Sequence, residues 1–253
     1  MFRRARAMWG LLLLAGGVLA FVVPSALSAQ SEDGFLFRRP KVTLGFNGGY
    51  AIPQAGSDLF ADITQRHTLE ESDFHAPVFM GSLGVRVSER FDLAFEVGYA
   101  SSKTLSEYRE WVDQDDLPIE QTTELRRVPL TVSLKAYLWE RGRQVSRFAW
   151  IPNRWSPYVG AGAGWVNYEF TQRGDFINFQ DLGIYTDEIT TDGTTGTFHV
   201  LAGAEVSLTP RFVLTGEGRY SWAEAGLDHT FGNYDEPIDL SGFQATMGIA
   251  MRF

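Results

Sequence analysis

The feature that most constrains this chain is strict period-two alternation of apolar and polar residues, recurring in eight segments between residue 41 and the C-terminus. They are Lys41–Ala51, Pro77–Ser88, Asp92–Lys103, Leu125–Trp139, Ser156–Tyr168, Thr197–Thr209, Arg211–Trp222 and Ser241–Phe253. In Leu125–Trp139, for example, Val128, Leu130, Val132, Leu134, Ala136 and Leu138 all share one parity. Successive side chains of a strand point to opposite faces, so each segment reads as a strand with one apolar face. Ser156–Tyr168 is glycine-rich and less regular. Its Asn167 and Glu169 place the odd parity on the polar side, which would turn Gly160, Gly162 and Gly164 toward the apolar exterior.

The opposite parity carries the charge. Arg86, Asp92, Glu96, Lys135, Glu205, Glu217, Arg219 and Arg252 comprise four acids and four bases, all on the polar face. The connections alternate in length. Ser88–Phe91 and Thr209–Arg211 are tight, whereas Ala51–Ala76, Ser101–Glu124, Glu169–Thr197 and Ala223–Asp239 are long and read as loops without regular structure. Such loops are uncommon in compact soluble domains. An even number of strands of about 10 residues, alternating short and long connections, and aromatics near the strand ends describe a transmembrane β-barrel. Within lipid every backbone N–H and C=O must be paired, and a closed sheet does this without helices. The expected fold is all-β: an eight-stranded antiparallel up-and-down transmembrane barrel over residues 41–253, with the apolar face toward lipid and the charges inside.

A polytopic helical protein is excluded, because the chain has one long apolar run, Met8–Val23, and each helical span needs about 20 such residues. That run follows Arg3, Arg4 and Arg6 and precedes Pro24-Ser25-Ala26-Leu27-Ser28-Ala29, the layout of a secretory signal peptide over residues 1–29. Cleavage is expected after Ser28 or Ala29, leaving a short periplasmic segment, residues 30–40, ahead of the barrel. The formal charge of −9 becomes −12 once the three arginines leave. No basic stripe offsets it, so nucleic acid is not an expected partner. Cysteine is absent, which removes disulfides and thiolate chemistry.

The four long connections hold 23 acids against 4 bases, while the three on the other side carry a net +4. Long loops face outward in outer-membrane barrels and short turns face the periplasm. The outer surface is therefore expected to be strongly acidic, which keeps loops solvated and apart. Divalent cations bridging these carboxylates to anionic surface lipid are a second reading, although the Asp187-Glu188 and Asp192-Gly193 region matches no calcium-loop spacing. The middle turn, Glu140–Trp155, is long, with Phe148, Trp150, Ile151 and Trp155 among four arginines. It reads as a hairpin lying on the membrane surface.

Three runs, Val128-Pro129-Leu130-Thr131-Val132-Ser133-Leu134-Lys135, Ser156-Pro157-Tyr158-Val159-Gly160-Ala161-Gly162-Ala163-Gly164 and Gly216-Glu217-Gly218-Arg219-Tyr220, resemble the eight-stranded outer-membrane barrel families typified by outer-membrane proteins A, X and W. The resemblance covers Lys41–Phe253 through short motifs. It implies location in the outer membrane. The ending Gly248-Ile249-Ala250-Met251-Arg252-Phe253 is similar to the terminal aromatic signal read by barrel assembly machinery, which makes Phe253 the candidate assembly signal. No peptidoglycan-binding module like that of the outer-membrane protein A family is expected after Phe253.

Some outer-membrane barrels are lipid-modifying enzymes in which a histidine activates a serine. Here His199 alone lies on a strand, and Ser207 is eight residues further along it, out of reach at about 3.3 Å per residue. His75 with Asp73 and His229 with Asp228 could imitate the acid–histidine pairs of a barrel protease, but loop acids are too abundant to give the pairing weight. Gly160–Gly164 is followed by strand-like Trp165-Val166-Asn167-Tyr168, not by the helix a phosphate loop requires. No catalytic, cofactor or metal residue is expected.

An eight-stranded barrel has an interior just wide enough for its side chains. Glu96, Glu205 and Glu217 are therefore expected to cross-pair there with Arg86, Lys135 and Arg219. The expected protein is a non-enzymatic, monomeric barrel with a filled lumen, serving envelope integrity or surface interaction through its long acidic loops. Its partners would be outer-membrane lipid and lipopolysaccharide, and the assembly machinery during biogenesis. A narrow channel for small or hydrophobic solutes, as resemblance to outer-membrane protein W implies, is the alternative; a lipid-modifying enzyme is the third.

Overall fold

The computed structural model describes residues 38–146, 148–178, 181–226 and 237–253; the signal peptide, most of the 30–40 segment, and His229 with Asp228 lie outside them. Eight strands form the barrel: β1 (Val42–Pro53), β2 (Ala76–Arg86), β3 (Phe91–Val112), β4 (Pro118–Tyr137), β5 (Trp155–Asn178), β6 (Gly183–Ser207), β7 (Phe212–Trp222) and β8 (Gly242–Arg252). Each pairs antiparallel with its chain neighbour, and β1 pairs with β8 from Thr43↔Arg252 to Pro53↔Gly242, so the sheet closes on itself. Phe253 lies at this seam, where its carbonyl accepts from the Lys41 and Val42 N–H groups and its own N–H donates to Val42.

The apolar parity faces outward. Phe46, Phe79, Phe95, Leu134, Trp165, Phe198, Leu214 and Met247 are among the exposed large side chains, Met247 at 76%. The polar parity is shut inside: Glu96, Arg219 and Arg252 are all buried. A protein stable in water would not coat itself so; lipid is the solvent this surface fits.

Two of the expected loops are mostly strand. The segments 101–124 and 169–197 continue the hairpins β3–β4 and β5–β6 beyond the rest of the barrel. Beyond Phe198, the last β6 residue paired to β7, the strand runs on to Gly183, about 50 Å of extended chain at about 3.3 Å per residue. The cause of the discrepancy is physical. Above the membrane neither face meets lipid, so the apolar alternation fades while backbone pairing persists, supported by β-branched Thr122, Thr123, Thr171, Thr190 and Thr191. Asp113 closes the β3–β4 turn by accepting from the N–H groups of Asp115 and Leu117, both at 2.8 Å.

The first long connection is also structured. Helix α1 (Asp58–Arg66) carries Asp58 in its first turn and Arg66 in its last, both favourable to the helix dipole. Its Leu59, Phe60 and Ile63 are buried. With Leu69 and Phe74 they pack on Leu125, Val166, Tyr168 and Phe170 of the tall hairpins and on Ala225, Ile238 and Leu240. Phe60 meets Phe74 and Phe170 edge-on, at 4.8 and 6.1 Å between ring centroids. The result is an apolar cap over the mouth of the barrel.

The middle turn corrects another expectation. Gly142–Ser146 and Ala149–Pro152 pair as a hairpin, but it does not simply lie on the membrane surface. Trp150 and Arg141 are buried, and Arg141 binds Asp92 of β3 through two bonds of 2.6 Å. Phe148, Ile151 and Trp155 are exposed, as is Val145. One side of the hairpin thus closes the lumen at the short-turn end.

Candidate functional site: the barrel lumen

The membrane-level lumen is packed with two ionic layers. In the first, Lys135 of β4 sits 3.2 Å from Glu96 of β3 and 2.7 Å from Glu217 of β7. Arg219, two residues along β7 and on the same face, binds Glu217 at 2.8 Å and also binds Glu96. Two acids and two bases therefore form a closed, neutral ring. Tyr158 donates to Glu217 at 2.9 Å, and Ser133 donates to Glu96 at 2.7 Å. Buried charges persist where each is paired and hydrogen-bonded; here every charge is paired, and of the ring's side-chain nitrogens and oxygens Arg219 Nε is buried without a hydrogen-bond partner.

The second layer lies toward the short turns. Arg252 binds Glu205 at 2.6 Å and Ser207 at 3.0 Å, and Tyr137 donates to Glu205 at 2.6 Å. The Arg141 guanidinium stacks 4.2 Å from the Tyr137 ring and that of Arg252 lies 5.6 Å from Trp150.

Of the six residues expected in one lumenal network, Glu96, Lys135, Glu217 and Arg219 are in contact. Glu205 belongs to the second layer. Arg86 is not in either: it stands at the short-turn rim, where its guanidinium binds Glu89 at 3.0 Å. At the end of β2 it is too near the rim to reach the ring, and a turn acid takes it instead. Arg252, Asp92 and Arg141 were needed to complete the pairing. Arg252 and Asp92 were legible by parity; Arg141 was hidden because it enters from a turn.

The glycine run of β5 faces the lumen, which reverses the facing read from Asn167 and Glu169. The even parity points in, with Ser156, Tyr158, Val166 and Tyr168 buried. In register, Gly160 lies between Lys135 and Leu201, and Gly162 lies between Ser133 and His199. Neighbouring side chains fold across this bare backbone. A Cβ at Gly162 would stand 2.7 Å from the His199 ring and 2.3 Å from the Val132 carbonyl oxygen. Glycine is required there because a ring occupies the space a side chain would take.

That crossing brings His199 Nε2 within 2.8 Å of Ser133 Oγ. Reading along β6 alone missed this serine, which comes from a strand two places away. The arrangement does not make a nucleophile. The serine's single proton is given to Glu96, so Nε2 must carry the hydrogen of the His199–Ser133 bond and cannot accept one from serine. The acid contacts the hydroxyl and not the far imidazole nitrogen, whereas a triad needs it on the base. Ser133 is also wholly buried. His75 is placed outside the lumen, 6.1 Å edge-on from the Tyr50 ring.

Between the ionic ring and the apolar cap a cavity of about 60 Å³ remains, walled by Ala51, Val78, Met80, Ala100, Val166 and Leu240, with Arg127 and Arg219 among its polar lining.

Over residues 17–253 the chain matches the outer membrane protein beta-barrel domain. It belongs to that family. The closed eight-strand sheet with its lipid-facing exterior is the family's architecture, and the outer membrane is its location. The chain is similar to several solved structures at low identity. Neisserial surface protein A is 12% identical, with 84% of this chain and 96% of that one covered and a TM-score of 0.45. OprG of Pseudomonas aeruginosa is 10% identical, with 87% and 99% covered and a TM-score of 0.47. Outer Membrane Protein W of E. coli is 12% identical, with 85% and 99% covered and a TM-score of 0.37. No curated protein matches the chain significantly.

Proposed function

We propose that this outer-membrane barrel is a non-enzymatic envelope protein whose lumen is closed by its own side chains, and that it acts through the surface it presents outside the cell. The observation that carries this reading is the stack that fills the interior: apolar cap, neutral ionic ring, second ionic layer and the inward side of the Arg141–Trp150 hairpin. A solute crossing the barrel would have to break paired, buried charges, which costs several kcal/mol per pair. The tall β3–β4 and β5–β6 hairpins and the helix-bearing connection then provide the working surface. Their acidic excess suits repulsion of neighbouring anions and contact with lipopolysaccharide through divalent cations. Outer-membrane lipid and lipopolysaccharide are its standing partners, the assembly machinery meets it through Phe253, and it works as a monomer.

Planar-bilayer recording tests the closed lumen. Purified protein is expected to give no steady unitary openings. Steady openings that vanish when the β5–β6 hairpin is shortened would replace this reading with that of a narrow channel.

A further inference from the structure

We propose that the cavity beneath the apolar cap is a binding site for one small monocarboxylate, of formate or acetate size, held by Arg127. Arg127 lies on the inward parity of β4, beside Ala100 of β3 and Tyr168 of β5 in register. It is half-buried and lines the cavity. Among the described residues its guanidinium has no hydrogen bond, ion pair or ring contact. Every other lumenal cation among them, Lys135, Arg141, Arg219 and Arg252, is paired with a carboxylate.

An arginine cannot shed its charge, so this one needs an anion or water within its reach. The cavity says which. Its walls near Arg127 are the side chains of Ala51, Val78, Met80, Ala100, Val166 and Leu240, which offer an anion's hydrogen-bonding oxygens nothing but suit a methyl group. Thr131, Thr197 and Ser221 also line the cavity, Thr131 accepting from Arg219 and Thr197 donating to the Trp222 carbonyl oxygen. A planar guanidinium presents two parallel N–H groups that match a carboxylate. About 60 Å³ is well below the roughly 150 Å³ of a cavity that takes benzene, so the occupant is limited to a few heavy atoms. The nearby acids do not compete, since Glu96 and Glu217 are taken by Lys135 and Arg219.

The test uses the full barrel in detergent micelles, in a buffer whose anion is gluconate, too large for the cavity. Carbon-13 acetate is titrated and its exchange broadening followed. Saturable broadening is expected, and Arg127→Met should weaken it at least tenfold, as befits loss of a charge-assisted bidentate contact. A second variant, Ala100→Leu, fills the cavity and keeps the arginine; it should abolish binding and therefore decides the matter if Arg127→Met fails to fold. Absence of saturable binding, unchanged binding in either folded variant, or a guanidinium found paired to an acid of the protein would overturn the proposal.

Discussion

Replacing Arg219 by leucine removes one of the two cations in the closed ring. Glu96 and Glu217 would then share Lys135 alone, 3.2 and 2.7 Å away, and the buried ring would carry a net charge of −1. Breaking a buried pair by deleting one partner costs about 3–5 kcal/mol, because the other charge stays behind without compensation. The second replacement, Glu217→Gln, restores neutrality, with Glu96 still bound to Lys135. Arg219→Leu combined with Glu217→Gln should therefore be more stable than Arg219→Leu alone, with a coupling of about 2–3 kcal/mol. Urea unfolding of the barrel reconstituted in vesicles, followed by heat-modifiable gel mobility and by the fluorescence of the barrel's six tryptophans, measures both. If the lumen were wet, the charges would be screened and Arg219→Leu would cost no more than about 1 kcal/mol, as for exposed pairs. That result, or strictly additive single and double costs, would refute the ring as a buried unit.

Gly162→Val should cost about 1–3 kcal/mol by overpacking, since its Cβ would meet the Val132 carbonyl and the His199 ring. Ala161→Val, one residue away on the lipid face, should stay within about 0.5 kcal/mol in the same unfolding assay. The cap should loosen in acid. His67 ends helix α1 and is buried beside Tyr108, with Nδ1 3.2 Å from the Ile63 carbonyl. Burial holds its pKa below the ordinary 6.5, against smaller raising effects from Ile63 and Asp62. The folded cap therefore binds fewer protons than its opened form, so its stability is full above about pH 6.5 and is lost as pH falls below that value. Protease cleavage within residues 55–75 should rise at pH 5 relative to pH 7.5, with a protease of flat pH response, and His67→Gln should flatten that dependence.

The strands were legible in the sequence wherever one face meets lipid. Phe95 beside Glu96, or Leu134 beside Lys135, states both facing and solvent, and seven of the eight membrane segments carry that signature, the glycine-rich Ser156–Tyr168 being the exception. What it could not state is where pairing ends. Thr123 and Thr191 are buried inside the tall hairpins, yet polar neighbours on the other face erase the alternation. Helix α1 escaped because Leu59, Phe60 and Ile63 make a single short stripe in an acidic stretch, too little for a periodic signal. In the lumen, parity identified most of the charges, but partners are chosen across strands. His199 meets Ser133 over Gly162, a contact set by register and invisible along any one strand. Asn167 and Glu169 misled the facing of β5 because they lie above the lipid, where polar side chains point outward freely.

The chain's lack of cysteine makes the decisive measurement clean. Single cysteines from residue 93 to 100 of β3 can each be spin-labelled in vesicles and tested for collision with oxygen, which dissolves in lipid, and with a water-soluble nickel chelate. Positions 93, 95, 97 and 99 should collide strongly with oxygen and positions 94, 96 and 98 with neither reagent. Strong collision of the even positions with the nickel chelate would mean an open aqueous lumen, and strong chelate collision at the odd positions would mean that this face never meets lipid.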